Sequence, residues 1–314
     1  MAAWGLLSPS LALADVVDLY PWMNTWVTQD GMDRRWLDQL LGSLRPTTSI
    51  LRSMDRQAEA LPYHVYRERL LTTNLILQAK YRYKKHASIL RRIENELQVN
   101  GEVVIALWGI ESSFGRNQGK HSVLNTLFTL ATGLPRRQSF FQQELRQFLL
   151  LCREEGWDPR SINGSYAGAM GQVQMMPSSL RCFALDFDGD GKRDVFNQTT
   201  DSLGSIANYL RRHGWQFNGL FAEEVKDHPL LAEIASKSID DALPWIWWQD
   251  NGVQLEDNVR PDPHQLAAMI ALEGEERMDY VMGFNNFRVI TSWNRSRRFA
   301  MVVHELAWRI KQGL

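Results

Sequence analysis

The chain has 314 residues, 44% hydrophobic, 23% charged and 11% aromatic, with 35 basic against 36 acidic side chains and a net charge of -1. That profile excludes a disordered protein, and the even charge balance, without long blocks of one sign, excludes a partner held mainly by charge: no nucleic acid, no anionic membrane. Two cysteines, Cys152 and Cys182, form no CxxC pair and sit near no histidine cluster, which argues against zinc; buried free thiols are expected, with a disulfide as the alternative. No run approaches the ~18 apolar residues of a membrane span. At ~150 residues per domain, the length implies about two domains or one large domain with insertions. Twelve tryptophans suit either core packing or stacking on sugars and bases.

Gly5 to Ala14 is apolar and small, and Ala12-Leu13-Ala14 before Asp15 resembles a cleavage site without a basic region ahead of it. An export-signal remnant is expected over residues 1–14, the alternative being an ordinary apolar N-terminus. No Cys follows it, which suggests a soluble form without a lipid anchor. Helical spacing then marks Trp36, Leu37, Leu40, Leu41 and Leu44, and again Ile89, Leu90, Ile93 and Leu97. Ser139 can cap a helix burying Phe141, Leu145, Phe148, Leu149 and Cys152. Leu203, Ile206, Ala207 and Leu210 follow, with Asp201 at the start and Gly214 as the stop. From Glu223 to Asn285 prolines punctuate short apolar runs; Ala267–Leu272, Tyr280–Val281 and Phe287–Ile290 read as strands. A last helix covers Arg297 to Ile310. The organisation expected is a helical body over 15–222, a small strand-bearing subdomain over 223–290, and a C-terminal helix over 291–314 returning to the body.

Four segments carry chemistry. Val103 to Ile110 is apolar or small and runs into Glu111. A carboxyl at the end of a buried helix is poorly hydrated, and desolvation raises its pKa into the range of a general acid; alternatively Glu111 only marks the helix's exit to solvent. Asn163 to Ser179 is rich in small residues, with Gly164, Gly168 and Gly171, and suits close approach to a ligand or a tight helix crossing. Its polar members Ser165, Gln172 and Gln174 suit hydroxyl and amide groups. Residues 186–197 fit a twelve-residue calcium loop: Asp186, Asp188 and Asp190 at positions 1, 3 and 5, Gly191 at 6, Lys192 at 7, Asp194 at 9. Asn197 replaces the usual Glu at position 12, which lowers the affinity expected. A plain polar turn is the alternative. Finally, Gly283 to Phe287 and Ser292 to Ser296 set aromatics beside amides, as sugar sites do.

In this order the segments resemble the membrane-bound lytic murein transglycosylase B family, from about Asp33 to Ile310. Glu111 with Ser112-Ser113-Phe114-Gly115 takes the place of the catalytic Glu, Pro135-Arg136-Arg137 resembles the substrate-side arginine segment, and Ser165 to Gly171, Gln174 and Met176 to Ser179 form the most specific stretch. Asn208-Tyr209, Asn286-Phe287 and Trp293 to Ser296 complete it. Three departures stand out: Val173 and Met175, Asn197 in the calcium loop, and Trp293 where a Tyr is common, which removes any role for that hydroxyl. The resemblance implies a mainly α (α+β), lysozyme-like helical catalytic domain with an EF-hand-type calcium loop and a small inserted β-containing subdomain. It implies cleavage of the β-1,4 bond between N-acetylmuramic acid and N-acetylglucosamine with a 1,6-anhydro end, and a periplasmic site of action. The implied assignments are Glu111 as acid then base, Arg136, Arg137, Ser165, Gln174, Tyr209, Trp293 and Asn294 on the substrate, and Asp186, Asp188, Asp190, Lys192 and Asn197 around a structural Ca2+. The partner implied is the peptidoglycan glycan strand. A hydrolytic muramidase would need a second acid ~5–9 Å from Glu111, for which only Asp158 and Asp194 lie near a motif; a non-enzymatic calcium-dependent wall-binding protein is the remaining alternative.

Overall fold

The computed structural model describes residues 20–56, 61–227, 231–235, 239–256 and 259–312. The segment read as an export-signal remnant lies outside them. The chain separates into two compact units, 1–45 and 46–314.

In the first unit α1 (Met23–Asp30) precedes α2 (Arg34–Gly42). Asp33 caps α2 by accepting from the Trp36 amide at 2.7 Å. The expected stripe buries Leu37, Leu40 and Leu41, while Trp36 faces solvent and Leu44 follows the helix.

The second unit is mainly helical. In chain order come α3 (Thr48–Arg56), α4 (Tyr63–Leu70), α5 (Thr73–Lys85), α6 (Ala87–Leu97), α7 (Gly101–Ser112), α8 (Val123–Gly133), α9 (Gln138–Glu155), α10 (Pro177–Phe183) and α11 (Thr199–Arg212). The strands β1 (His121–Ser122) and β2 (Asn163–Gly164) form a short antiparallel pair. α7 is apolar around its whole circumference, and such a helix is stable only when covered on all sides. α5, α6, α11 and α15 (Arg297–Lys311) supply that cover. Ser139 does not cap α9: it lies inside the helix, whose N-cap position is Arg137 without a side-chain bond. The 3-10 turn at Pro135–Arg137 leads straight into α9, so the helix starts before the serine.

Asp201 also lies inside its helix, in the first turn of α11, and it is fully buried. Its carboxylate turns outward to the acidic loop instead, accepting from the amides of Phe187 (2.8 Å), Asp188 (3.2 Å) and Asp194 (2.9 Å). Gly214, with φ +89°, follows the last cap residue of α11 as expected.

Four antiparallel strands follow, β3 (Ala222–Glu224), β4 (Leu243–Pro244), β5 (Leu266–Glu273) and β6 (Met278–Gly283), in the order β3-β6-β5-β4. The short helices α12 (Leu231–Ile234) and α13 (Trp245–Asp250) lie among them in sequence. β5 is buried on both faces, which explains its unbroken apolar run. Ala267 and Met269 join Met282 of β6 under Trp245, Trp248 and Leu231; α4 and α15 also pack on β5.

Phe287–Ile290, expected as a strand, is helical, within α14 (Asn285–Trp293). Four apolar residues cannot separate a period of 2 from one of 3.6. Residues 286, 287, 289, 290 and 291 are buried while Arg288 and Ser292, four apart, are exposed, which is the helical spacing. Asn286 fixes the helix start by accepting from the Gln216 amide (2.9 Å) and donating to the Gln216 carbonyl (2.8 Å). Cys152 is buried as expected but Cys182 is exposed, and both are free thiols. Cys182 lies on the outer side of α10, whose buried positions are Pro177 and Leu180.

Candidate active site

Glu111 stands on the last turn of α7, half-buried at the end of the apolar run. Burial pushes its carboxyl up to about 7, against a smaller opposing effect of a hydrogen bond from Trp293. The partial negative charge at a helix C-terminus acts in the same direction as burial. The Trp293 indole Nε1–H donates to Glu111 Oε1 at 2.8 Å. The residue expected to lose a hydroxyl's role therefore still delivers a hydrogen-bond donor.

The chain leaves α7 through three consecutive left-handed residues, Ser113 (φ 50°), Phe114 (φ 62°) and Gly115 (φ 79°). Two of them are not glycine, an arrangement that tertiary contacts must impose. Ser112 Oγ accepts from the Gly115 amide at 2.9 Å, and the Phe114 ring folds back edge-on to Trp108 at 5.4 Å.

Trp293 ends α14, and the Tyr209 ring of α11 meets it edge-on at 4.8 Å. The Tyr209 hydroxyl donates to the Ser292 carbonyl at 2.7 Å, and His213 stacks on its ring at 3.9 Å. Asn294, exposed, follows immediately, its amide donating to the Ile290 carbonyl at 3.1 Å. Glu111, Tyr209 and Trp293 thus gather at one place from three helices distant in sequence, and Asn294 follows Trp293 in the chain.

The small-residue stretch folds as a narrow loop. The Ser165 amide donates to the Ala169 carbonyl (2.8 Å), and Ser165 Oγ accepts from the amides of Ala167 (3.2 Å) and Ala169 (3.0 Å). A Cβ on Gly164 would fall 2.3 Å from the Ala169 carbonyl oxygen, so only glycine allows this closure. Gln174 adopts φ 49° and its amide donates to the carbonyls of Gly171 (2.9 Å) and Gln118 (3.2 Å). These side chains shape the loop wall.

Arg136 and Arg137 lie between α8 and α9, both exposed. Arg136 donates to the Met54 carbonyl at 3.4 Å, and the Arg137 guanidinium lies 4.5 Å from the Phe140 ring centre. These contacts are to α3 and α9, not to the helices that carry Glu111, Tyr209 and Trp293.

In the acidic loop, oxygens of Asp186, Asp188 and Asp190 all lie within 4.8 Å of one another. Asp186 accepts from the amides of Gly189 (2.7 Å), Asp190 (3.0 Å) and Gly191 (2.8 Å), which hold its carboxyl below the ordinary value despite an opposing desolvation effect. The Asn197 side-chain amide donates to Asp194 at 3.0 Å, joining positions 12 and 9.

Sequence reading misses Tyr66 and Trp108 beside Glu111, and takes Gln172 only as a polar group suited to a ligand. Tyr66 of α4 is close enough for the Glu111 charge to reinforce the rise that burial gives its phenol. Trp108 and Gln172 bond to each other at 3.1 Å. Neither Tyr66 nor the pairing of Trp108 with Gln172 carries a local signal, because both arise through folding.

The chain matches the Transglycosylase SLT domain family over residues 20–308. It belongs to that family. This SLT-domain protein is 30% identical over 306 residues to the membrane-bound lytic murein transglycosylase B of Escherichia coli K12, covering 90% of this chain and 80% of that protein. It superposes on the soluble lytic transglycosylase SltB1 of Pseudomonas aeruginosa with TM-score 0.86 and 33% identity, covering 93% and 97% of the two chains. The E. coli lytic transglycosylase Slt35 in complex with calcium matches with TM-score 0.82 and 30% identity over 93% and 91%. The fold is thus the mainly helical, lysozyme-like one of these enzymes, and the activity is lytic transglycosylation of peptidoglycan.

Proposed function

We propose that this lytic transglycosylase works with one carboxylate, Glu111, acting first as acid and then as base. The observation that carries this is a carboxyl raised to about 7 at the end of a buried helix. Protonated Glu111 gives its proton to the glycosidic oxygen between N-acetylmuramic acid and N-acetylglucosamine, and the C1–O bond breaks. The acetamido group of the muramic acid shelters the oxocarbenium-like centre. Glu111, now a carboxylate, takes the proton of the C6 hydroxyl as that oxygen attacks C1, closing the 1,6-anhydro ring and restoring the acid. An intramolecular nucleophile needs no second carboxylate to activate water. Ser165, Gln174 and Asn294 hydrogen-bond sugar substituents, Tyr209 and Trp293 orient rings, and Arg136 and Arg137 meet the strand further out. Mass analysis of products from purified peptidoglycan tests this: muropeptides lighter by one water are expected, and hydrated reducing ends would overturn it.

The pH dependence has a definite sign. The acid must enter protonated, so kcat should fall as pH rises through about 7, by about tenfold per pH unit at the steep end. A profile flat from pH 6 to 9 (about) would contradict the assignment.

The donor set of the acidic loop fits a hard cation. Asp186, Asp188 and Asp190 would hold Ca2+ through carboxylates, Lys192 through its main-chain carbonyl and Asn197 through its side-chain oxygen. The ion supplies charge neutralisation and takes no part in bond cleavage. The calcium complex of the relative Slt35 supports this. At a free calcium level about 100-fold above Kd, binding adds ~2.7 kcal/mol, so a chelator should lower Tm by roughly 4–5 °C. Identical melts in calcium and chelator would show that Asn197 has disabled the loop.

The strands over 222–283 support a small insertion over 223–290 within the second unit, although α14 (Asn285–Trp293) runs across its expected end and the first unit, 1–45, divides the expected body of 15–222. No described helix is long and apolar enough to cross a membrane. A periplasmic place of action follows from the substrate, which lies outside the cytoplasmic membrane.

A further inference from the structure

An acid that must also serve as base has to keep one orientation through both steps, so what fixes the last turn of α7 matters. Trp108, three residues before Glu111, is 1% exposed, and its indole Nε1–H donates to Gln172 Oε1 at 3.1 Å. The other end of that amide, Gln172 Nε2, donates to the Phe196 carbonyl at 3.2 Å, and the Gln172 main-chain N–H donates to the Val195 carbonyl at 2.9 Å. Gly115, four residues after Glu111, closes on the same side chain: a Cβ there would lie 2.6 Å from Gln172 Oε1. One buried amide therefore touches the chain on both sides of Glu111 and moors it to the exit of the acidic loop. An amide can do this because it accepts at one end and donates at the other. An aliphatic side chain of equal size would only fill the space.

We propose that Gln172 is a positioning residue for the transglycosylation, orienting Glu111 through Trp108 and Gly115 without touching the substrate. This rests on Glu111 being the acid. The geometry has the features such a role needs: both partners are main chain or a buried indole, and the clamped segment includes the left-handed exit, where the Ser113 and Phe114 amides turn back onto the Gly109 (2.9 Å) and Trp108 (3.2 Å) carbonyls. Misplacement of a catalytic group by about 1 Å can cost 10²-fold.

The titrating and charged groups around this segment leave the reading of a pH profile clear. The Arg82 guanidinium of α5 lies 5.8 Å from the Trp108 ring centre, and the His86 ring lies 5.6 Å from it. His86 is held below its ordinary value by burial, so it is neutral before the alkaline limb begins. Tyr66 of α4 is raised, chiefly by burial, with Arg298 of α15 opposing, so it stays protonated. Trp293 does not titrate. The alkaline limb reports Glu111.

Gln172→Met keeps side-chain length and removes both amide bonds; Trp108→Phe removes the shared bond from the other side. Each is assayed on purified peptidoglycan well below its melting temperature. Expected for both is a fall in kcat of about tenfold or more, KM within about twofold, and an alkaline limb displaced to lower pH by about half a pH unit, because a carboxyl released from a dry position returns toward its ordinary value. Gln172→Glu, which keeps the acceptor for Trp108 and loses the donor to Phe196, should recover part of kcat. A role in stability alone predicts lower melting with kcat and the pH limb of the wild type, and that result overturns the proposal; so does a change confined to KM. If Gln172→Met does not fold, Trp108→Phe decides by the same criteria. Activity retained by Glu111→Gln would instead defeat the reading of Glu111, a different outcome read in a different variant.

Discussion

Glu111→Gln should abolish anhydro-product formation while making the protein more stable at alkaline pH. The loss follows from removing the only proton donor assigned to the leaving oxygen, and acid–base catalysis of this kind is worth ~10²–10⁴-fold. The stability gain follows from the same burial that raises the carboxyl from 4.5 to about 7. A folded state that binds its proton more tightly than the unfolded chain keeps this contribution below the unfolded value and loses it as pH rises through the folded one. Every tenfold gain in proton affinity on folding corresponds to ~1.4 kcal/mol, so the wild type carries an ionisation cost of up to roughly 3 kcal/mol above pH 7, less whatever solvent reaches the half-buried side chain. The glutamine has no charge to bury. Denaturation of both proteins at about pH 5 and pH 8.5 should show the variant gaining only at the higher pH. More than about a tenth of wild-type turnover, or a variant less stable at both values, would remove Glu111 from the role.

The second large effect is expected far from the bond being cut. Asp201 is completely buried, yet its carboxylate serves three main-chain N–H groups of the acidic loop. Asp201→Ala leaves all three without their acceptor, at ~1–3 kcal/mol for each donor that water cannot reach. A loss of about 3 kcal/mol or more is expected, seen as a Tm lower by roughly 5 °C or more. Excess chelator during the melt separates this from any bound ion. Asp201→Asn keeps one acceptor oxygen and should lose less. A change below about 1 kcal/mol in the alanine variant would mean the loop holds its shape without this anchor.

Local signals make part of this legible. Val103 to Ile110 is apolar on every face and ends in a carboxyl, so the site's central residue can be found from one segment. The buried strand β5 is equally plain, because Ala267–Leu272 is an unbroken apolar run. Phe287–Ile290 passes for a strand because four residues do not define a period; the decisive contacts, Asn286 on Gln216, come from 70 residues away. Ser139 fails as a cap because the 3-10 turn before it already supplies the helix start. Asp201 stands out in the sequence for the wrong reason: its position at a helix start suggests a cap, whereas its partners are in the preceding loop. Tyr66 and the pairing of Trp108 with Gln172 leave no trace in any short window, since both arise only when α4, α7 and the small-residue loop come together.

The bond from Trp293 to Glu111 limits where protons can go. An indole N–H donates but cannot accept, and it neither gains nor loses a proton in water at any pH the protein survives. A phenol in that position could pass a proton to solvent or share one with the carboxylate. Here that route is closed on the Trp293 side, so Glu111 exchanges its proton through its other face, with substrate or with water that reaches it there. Once a glycan strand covers that face, the proton lifted from the C6 hydroxyl of the muramic acid has the next glycosidic oxygen as its destination. Successive cuts can then pass the same hydrogen along one strand, from a C6 hydroxyl to the next glycosidic oxygen.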